Sequence, residues 1–100
     1  MILYEVTATP EAHVRGAFER YMRETHIDDV LATGCFTGAH FEENADGIYR
    51  TTYIANAQED LDRYLAEHAQ RLRDAVAAHF PSGLKFAREV WRVLQEWRDG

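Results

Sequence analysis

Apolar residues recur with two different periods along this chain, and those periods predict four strands and two helices. Alternation with period two predicts strands over residues 3–8, 35–43, 48–55 and 84–91. Spacing with period 3.6 predicts helices over residues 11–25 and 57–80. The order is β-α-β-β-α-β, which predicts an α+β sandwich with a four-stranded antiparallel sheet in spatial order 4-1-3-2. Two helices cover only one face of such a sheet, so the other face requires a second molecule or a ligand.

Residues with special backbone properties predict where these elements begin and end. Thr9-Pro10-Glu11 offers a capping hydroxyl, a proline and an acid, which together favour a helix start. Asp46-Gly47 supplies the positive φ angles that a tight hairpin needs. Asn56 and Glu59 have the spacing of a capping box, so we expect the second helix to begin at Ala57.

Two stretches of the pattern allow more than one structure. Residues 26–32 could continue the first helix or form a second short one before Gly34. Residues 92–99 could be strand, helix or irregular, because Val93, Leu94 and Trp97 also fit helical spacing. We favour a strand to about residue 91, followed by an irregular or helical tail.

The second predicted helix, residues 57–80, is long enough to bend or break midway.

Composition and charge narrow the class of protein. The chain has 100 residues, 46% of them hydrophobic, which is the size of one domain spanning residues 1–100. Its formal net charge of −6 opposes binding to nucleic acid or to an anionic membrane. The single cysteine, Cys35, cannot form an internal disulfide, and neither a signal peptide nor a membrane-length apolar run is present. We therefore expect a cytoplasmic protein.

His68 and Tyr64 are the best candidates for a catalytic site. Both lie on the apolar stripe of the second predicted helix, one turn apart, so we expect them to line one cleft against the sheet. The imidazole could act as a base or an axial ligand, and the phenol could orient an aromatic substrate, close to Tyr49 or Tyr53. The alternative for both residues is a core side chain whose polar atoms are hydrogen-bonded.

The other polar candidates favour structural roles. The remaining histidines have no i, i+4 pairing, so we expect no metal site. Arg50 and Arg88 need a carboxylate such as Glu42, or an anionic ligand, and an ion pair inside a dimer is the simpler expectation. Cys35 has no sequence context that activates a thiol, so we expect a buried or interfacial hydrophobe.

Four short segments resemble a known family. They are Leu61-Asp62-Arg63-Tyr64-Leu65-Ala66-Glu67-His68-Ala69, Gly34-Cys35-Phe36, Leu3-Tyr4-Glu5-Val6, and Arg88 before Val90-Trp91. Together they look like an uncharacterised bacterial family of the dimeric α+β barrel superfamily, which is distantly similar to the antibiotic-biosynthesis monooxygenases. This resemblance implies a ferredoxin-like fold and a homodimer in which two sheets pack face to face. The Asn-Trp-His set of the superfamily's haem-degrading members is not matched, because Thr7 stands where the Asn would be expected.

Neither the residues nor the resemblance fixes one reaction. The first expectation is a protein of unknown function, a small homodimeric ligand-binding or structural domain with no cofactor. The first alternative is a cofactor-independent monooxygenase or isomerase that acts on a small aromatic or polyketide-like substrate at Tyr64 and His68. The second alternative is haem or tetrapyrrole binding, with His68 as the ligand to iron.

Overall fold

The four strands form one antiparallel sheet in the order β2-β3-β1-β4. A computed structural model describes all residues from Met1 to Gly100. The strands are β1 (Ile2–Pro10), β2 (Gly38–Glu43), β3 (Tyr49–Ala55) and β4 (Leu84–Arg92). The observed order is the predicted order 4-1-3-2 read from the other edge, so the ferredoxin-like topology is confirmed.

The helices form two broken rods on one face of this sheet. The first rod consists of α1 (Arg15–Tyr21), a π-helical turn (Met22–His26) and α2 (Ile27–Leu31). The second rod consists of α3 (Gln58–Glu67) and α4 (Ala69–His79). Residues 26–31 thus continue the first helix, which is one of the two structures that the sequence allowed. None of these helices combines the length and the apolarity needed to span a bilayer.

The first rod begins four residues later than predicted. Pro10 is the last residue of β1 and is paired with Leu84 at the start of β4. The backbone N–H of Glu11 donates to the carbonyl oxygen of Gly83 at 2.8 Å. Pairing with β4 therefore keeps Thr9 and Pro10 extended, and the helix begins at Arg15 after a turn.

The predicted capping box does not form. The N-cap residue of α3 is Ala57, which has extended backbone angles (φ −145°) and no side-chain cap. The helix begins at Gln58, so Asn56 lies one residue too early to cap it. The second strand also begins later than expected, at Gly38, and Cys35 and Phe36 are buried in the core before it starts.

The β2–β3 hairpin turns at the predicted Asp46-Gly47, although only Gly47, and not Asp46, has a positive φ. Gly47 has a φ of +76°, which a residue with a Cβ rarely adopts. Asn44 supports the turn, because its Oδ1 accepts hydrogen bonds from the backbone N–H groups of Asp46 at 2.9 Å and Ile48 at 3.0 Å.

A break at His68 changes which residues of the second rod face the sheet. His68 has a φ of −128°, outside the helical range, and separates α3 from α4. The buried stripe runs Leu61, Tyr64, Ala69, Leu72 and Val76, a step of five residues at the break. Ala69 therefore points inward where the uninterrupted pattern would have placed His68.

The sheet has two different faces because alternate residues point to opposite sides. The even residues of β1 and the odd residues of β3 point to the helices, and Tyr4 pairs with Tyr53 there. They contribute to two core clusters, a larger one around Tyr4, Tyr53 and Leu61 and a smaller one of Ala8, Phe18, Met22 and Tyr49. β4 is mostly exposed beyond Leu84, so the helices leave that edge of the sheet uncovered.

The opposite face carries no helix, as expected. Trp91 of β4 pairs with Leu3, and Leu3 pairs with Ile54, which makes one apolar row across three strands. The next row is polar, with Glu89 directly opposite Glu5. We call this surface the open face. The tail after β4 is irregular, and Trp97 is 80% exposed.

Replacing Leu61 with Ala tests the packing of α3 on the sheet. Leu61 is 0% exposed, so the substitution leaves a cavity and should lower the free energy of unfolding by about 2–5 kcal/mol. Leu65, one turn later and 40% exposed, is the matched control, and L65A should cost about 0.5 kcal/mol or less. Urea denaturation followed by circular dichroism measures both; equal losses would contradict the observed orientation of α3.

Candidate functional site: a cavity between the sheet and the helices

A cavity of about 330 Å³ lies between the helix-covered face of the sheet and the two helical rods. Twelve of its 18 lining residues are hydrophobic, which suits a largely apolar occupant. We call it the sheet–helix cavity. Its volume is at the lower end of the range of pockets that bind small molecules, roughly 300–1,000 Å³.

Both layers contribute side chains to the wall. On the sheet side these include Tyr4, Val6, Thr51, Tyr53, Phe86 and Arg88. On the helix side they include Phe18, Met22, His26, Tyr64, Arg73 and Val76. The sheet contribution follows from the pleat, because Val6 pairs with Thr51 on one side and with Arg88 on the other, and all three point the same way.

Three tyrosines form one end of the cavity. The ring of Tyr4 lies 6.1 Å from the ring of Tyr53 and 6.0 Å from that of Tyr64, measured between centroids. Phe36 packs behind them, 4.9 Å from Tyr64. Arg73 of α4 donates from Nη2 to the Tyr4 hydroxyl oxygen at 3.0 Å. The Tyr4 hydrogen is thereby left free to be donated elsewhere.

The hydroxyl of Tyr53 is buried and has no hydrogen-bond partner. Tyr53 is only 2% exposed, and a buried hydroxyl without a partner costs about 1–3 kcal/mol. Burial, and then the nearby Tyr64 and Tyr4, raise the pKa of Tyr53 well above its ordinary value. Burial and the nearby Tyr4 raise the pKa of Tyr64 to about 12. Both phenols are therefore protonated at neutral pH and can act as donors.

His26 is the imidazole that the structure places in this cavity. It is the last residue of the π-helical turn, and its ring stacks on Tyr21 with centroids 6.1 Å apart. Burial lowers the pKa of His26, a nearby Asp29 raises it, and Arg88 lowers it further. The net shift is downward from 6.5, so His26 is neutral at pH 7 and can accept a proton.

The cavity opens toward the uncovered edge of the sheet. β4 supplies Leu84, Phe86 and Arg88 to the wall, and Phe86 is 39% exposed. The guanidinium carbon of Arg88 lies 5.5 Å from the centre of the Phe86 ring, within the range of a cation–π contact. A ligand that enters from this edge would meet a positive charge at an otherwise apolar opening.

The structure separates the two residues that the sequence put in one cleft. Tyr64 is buried and lines the cavity, whereas His68 is not part of its wall. The His68 side chain is 23% exposed, with its Nδ1 3.0 Å from Nη2 of Arg71 and its Nε2 3.9 Å from Glu67. The expectation that both face the sheet was wrong, because the break before α4 rotates His68 outward. A catalytic role for either residue stays a prediction.

The other candidate residues lie elsewhere in the fold. Arg50 forms the expected ion pair with Glu42, at 2.9 Å on the sheet. Arg88 forms no such pair on the open face, since it points into the cavity instead. Cys35 is a free, buried thiol, as expected of a small core residue. No three His, Cys, Asp or Glu side chains are grouped closely enough to hold a metal ion.

Sequence reasoning missed His26, Arg73 and the role of Tyr4. His26 stood at the end of a predicted helix, with no sign that a wide turn would bring it inward. Arg73 follows the buried Leu72 by one residue, so the helical pattern indicates a position at the edge of the apolar stripe. From that edge its guanidinium group contacts the Tyr4 hydroxyl, and this position in the pattern could have found Arg73.

The chain matches one family of known sequences. The model of a family described as a domain of unknown function, DUF4286, matches residues 1–94. No curated protein sequence matches the chain significantly.

Solved structures with the same fold resemble the whole chain at low sequence identity. A dimeric ferredoxin-like protein from an uncultured marine organism has a TM-score of 0.76 and 8% identity, covering 98% of each chain. A mutant of SnoaB, a cofactor-independent oxygenase from Streptomyces nogalater, has a TM-score of 0.72 and 13% identity, again covering 98% of each chain. The monooxygenase from the gene ActVA-Orf6 of Streptomyces coelicolor, in complex with the ligand nanaomycin D, has a TM-score of 0.66 and 12% identity, covering 97% of this chain and 92% of that one. At these identities the similarity shows the fold.

Replacing Tyr53 with Phe tests whether its hydroxyl is unpaired. Removing a buried hydroxyl that lacks a partner should raise the free energy of unfolding by about 1 kcal/mol. The matched control is Y4F, which removes the acceptor of Arg73 and should lower stability by about 1–2 kcal/mol. Urea denaturation measures both variants. A loss of stability in Y53F would mean that the hydroxyl has a partner.

Proposed function

The chain belongs to the DUF4286 family, whose function is unknown, and we propose that it is a homodimeric domain that binds a small aromatic or polyketide-like molecule. We take residues 1–100 as one domain and the sheet–helix cavity as its binding site. The buried free thiol of Cys35 fits a reducing, cytoplasmic location.

The observation that supports binding most directly is the unpaired hydroxyl of Tyr53. A fold retains an unsatisfied buried hydroxyl at a cost in stability, and such exceptions call for an explanation. A ligand oxygen in the cavity would accept a hydrogen bond from it and remove that cost. The cavity is large enough for a small ring system, and its hydrophobic wall favours one.

The charges in the wall narrow the class of ligand. Arg73 and Arg88 both line the cavity, and no carboxylate does. A molecule with a planar apolar body and an oxygen that is anionic or strongly polarised fits this combination. The Streptomyces coelicolor neighbour in complex with nanaomycin D supports the proposal that this fold can hold a small organic ligand.

The homodimer is proposed on the open face. Trp91, Leu3 and Ile54 form an apolar row there that no element of the same chain covers. Leu94 and Trp97 extend beyond β4 and are more than three-quarters exposed. A second copy would bury the row and the tail together, and the similarity to a dimeric ferredoxin-like protein supports this arrangement.

Ligand binding is tested by filling the cavity. We expect β-naphthol, an aromatic alcohol, to raise the melting temperature of the wild type, because a ligand at 100 times its Kd adds about 2.7 kcal/mol of stability. Ala77 lines the cavity but is exposed on α4, so A77W should fold and abolish the shift. Ala78 is also exposed and does not line the cavity, so A78W should retain the shift. Equal shifts in the two variants would place binding outside the cavity.

The dimer is tested by a charge on the open face. Trp91 is 52% exposed in the single chain, so W91E should leave the fold intact and bury an unpaired carboxylate only in a dimer. Sedimentation equilibrium at micromolar concentration should give a dimer mass for the wild type and for L65E, a control on the helical side, and a monomer mass for W91E. A monomeric wild type would refute the dimer. A dimer that survives deletion of residues 93–100 would refute the role of the tail.

A further inference from the structure

The π-helical turn places the imidazole of His26 on the side of the first rod that faces the sheet. The backbone N–H of Ile27 donates to the carbonyl oxygen of Met22, five residues earlier, so this turn is one residue wider than an α-helical turn. As a result His26 and Ile27 both face inward. His26 lines the cavity, and Ile27 packs against both core clusters. Wide turns of this kind are frequent at functional sites.

The surroundings of His26 keep it available as a proton acceptor. Its own rod supplies Asp29 and the stacking ring of Tyr21, and β4 supplies Arg88. From the second rod, Arg73 lines the same cavity and His79 stacks on Tyr21 at 4.3 Å. One carboxylate, Asp29, and one guanidinium group, Arg88, therefore act on the imidazole in opposite directions. Burial is the largest effect and disfavours the protonated form, so the pKa of His26 is lowered overall.

Hydrogen-bond donors lie on the other walls. Tyr53 lines the cavity from the sheet and has an unpaired hydroxyl, and Tyr64 and Arg73 line it from the second rod. Arg73 also holds the hydroxyl oxygen of Tyr4 and thereby polarises its hydrogen. A base on one wall and phenol donors on another form the arrangement that removes a proton beside a carbonyl group and stabilises the resulting oxyanion.

We propose that His26 is a general base that enolises a carbonyl compound bound in the sheet–helix cavity, with the hydroxyl of Tyr53 as the main donor to the enolate oxygen. This inference rests on the proposed function, since it requires a ligand in the cavity. It assigns a catalytic residue that differs from the sequence candidates Tyr64 and His68.

The step balances without an oxidant or a metal. The C–H bond next to the carbonyl breaks, and its proton moves to the unprotonated ring nitrogen of His26. The electron pair forms a carbon–carbon double bond, and the carbonyl oxygen gains the negative charge that Tyr53 stabilises. The imidazolium then returns a proton to the same carbon, or to another carbon of a conjugated ligand, which would be an isomerisation.

Deuterium incorporation into β-tetralone in D₂O tests the proposal. This ketone has an aromatic ring and acidic C–H groups, and proton NMR measures their exchange. We expect the wild type to exchange them faster than buffer does, with a rate that rises with pH through the pKa of His26, below 6.5, and then levels off. H26Q should lower the rate by about 100-fold or more and retain the thermal shift that β-tetralone produces.

Two further variants make the result specific. His79 stacks on the same tyrosine but does not line the cavity, so H79Q should exchange like the wild type. Y53F keeps the fold and removes only the donor, so it should lower the rate by about 100-fold even if H26Q fails to fold. A wild-type rate in H26Q or in Y53F, or a bound ketone that exchanges no faster than in buffer, would overturn this inference and leave the binding function intact. The absence of a thermal shift with both β-tetralone and β-naphthol would instead refute the proposed function, and the inference with it.

Discussion

The packing of the second helical rod against the tyrosines of the sheet determines most of what surrounds the cavity. Tyr4 and Tyr53 are neighbours on the two central strands, and Tyr64 and Phe36 pack on them. This contact holds α3 close to the sheet at one end. Toward β4 a separate contact joins the layers, since the ring of Phe18 in α1 lies 6.3 Å from that of Phe86, and both residues line the cavity. The same aromatic group that stabilises the fold therefore forms the end wall of the binding site.

Two local irregularities, one in each rod, decide which polar side chains face that site. The wide turn before Ile27 brings His26 inward, and the break before Ala69 turns His68 outward. Both shift the helical register by a single residue. A periodic pattern read from sequence assumes an uninterrupted helix, so the histidine predicted for the site differs from the histidine that lines the cavity. Tyr64 precedes the break and lies in the cavity wall.

The sheet was predictable to a greater extent than the helix starts. Alternation along the strands and the turn at Gly47 depend on neighbours in sequence, and these predictions were confirmed. The helix start near Pro10 and the capping box at Asn56 failed for another reason. Strand pairing with Leu84 extends β1 through Pro10, and extended backbone at Ala57 delays α3 by one residue. Contacts between distant segments outweigh a local cap, which is worth only about 1 kcal/mol.

The tryptophans and most of the tyrosines lie on different surfaces of the protein, so their optical signals report on different regions. The chain has two tryptophans, and both lie away from the cavity, Trp91 on the open face and Trp97 in the tail. Three of its five tyrosines line the cavity. Emission from tryptophan should therefore respond to the solvation of the open face, and the near-ultraviolet absorption of tyrosine to the cavity. One sample without an added label thus carries separate spectroscopic probes for its two surfaces.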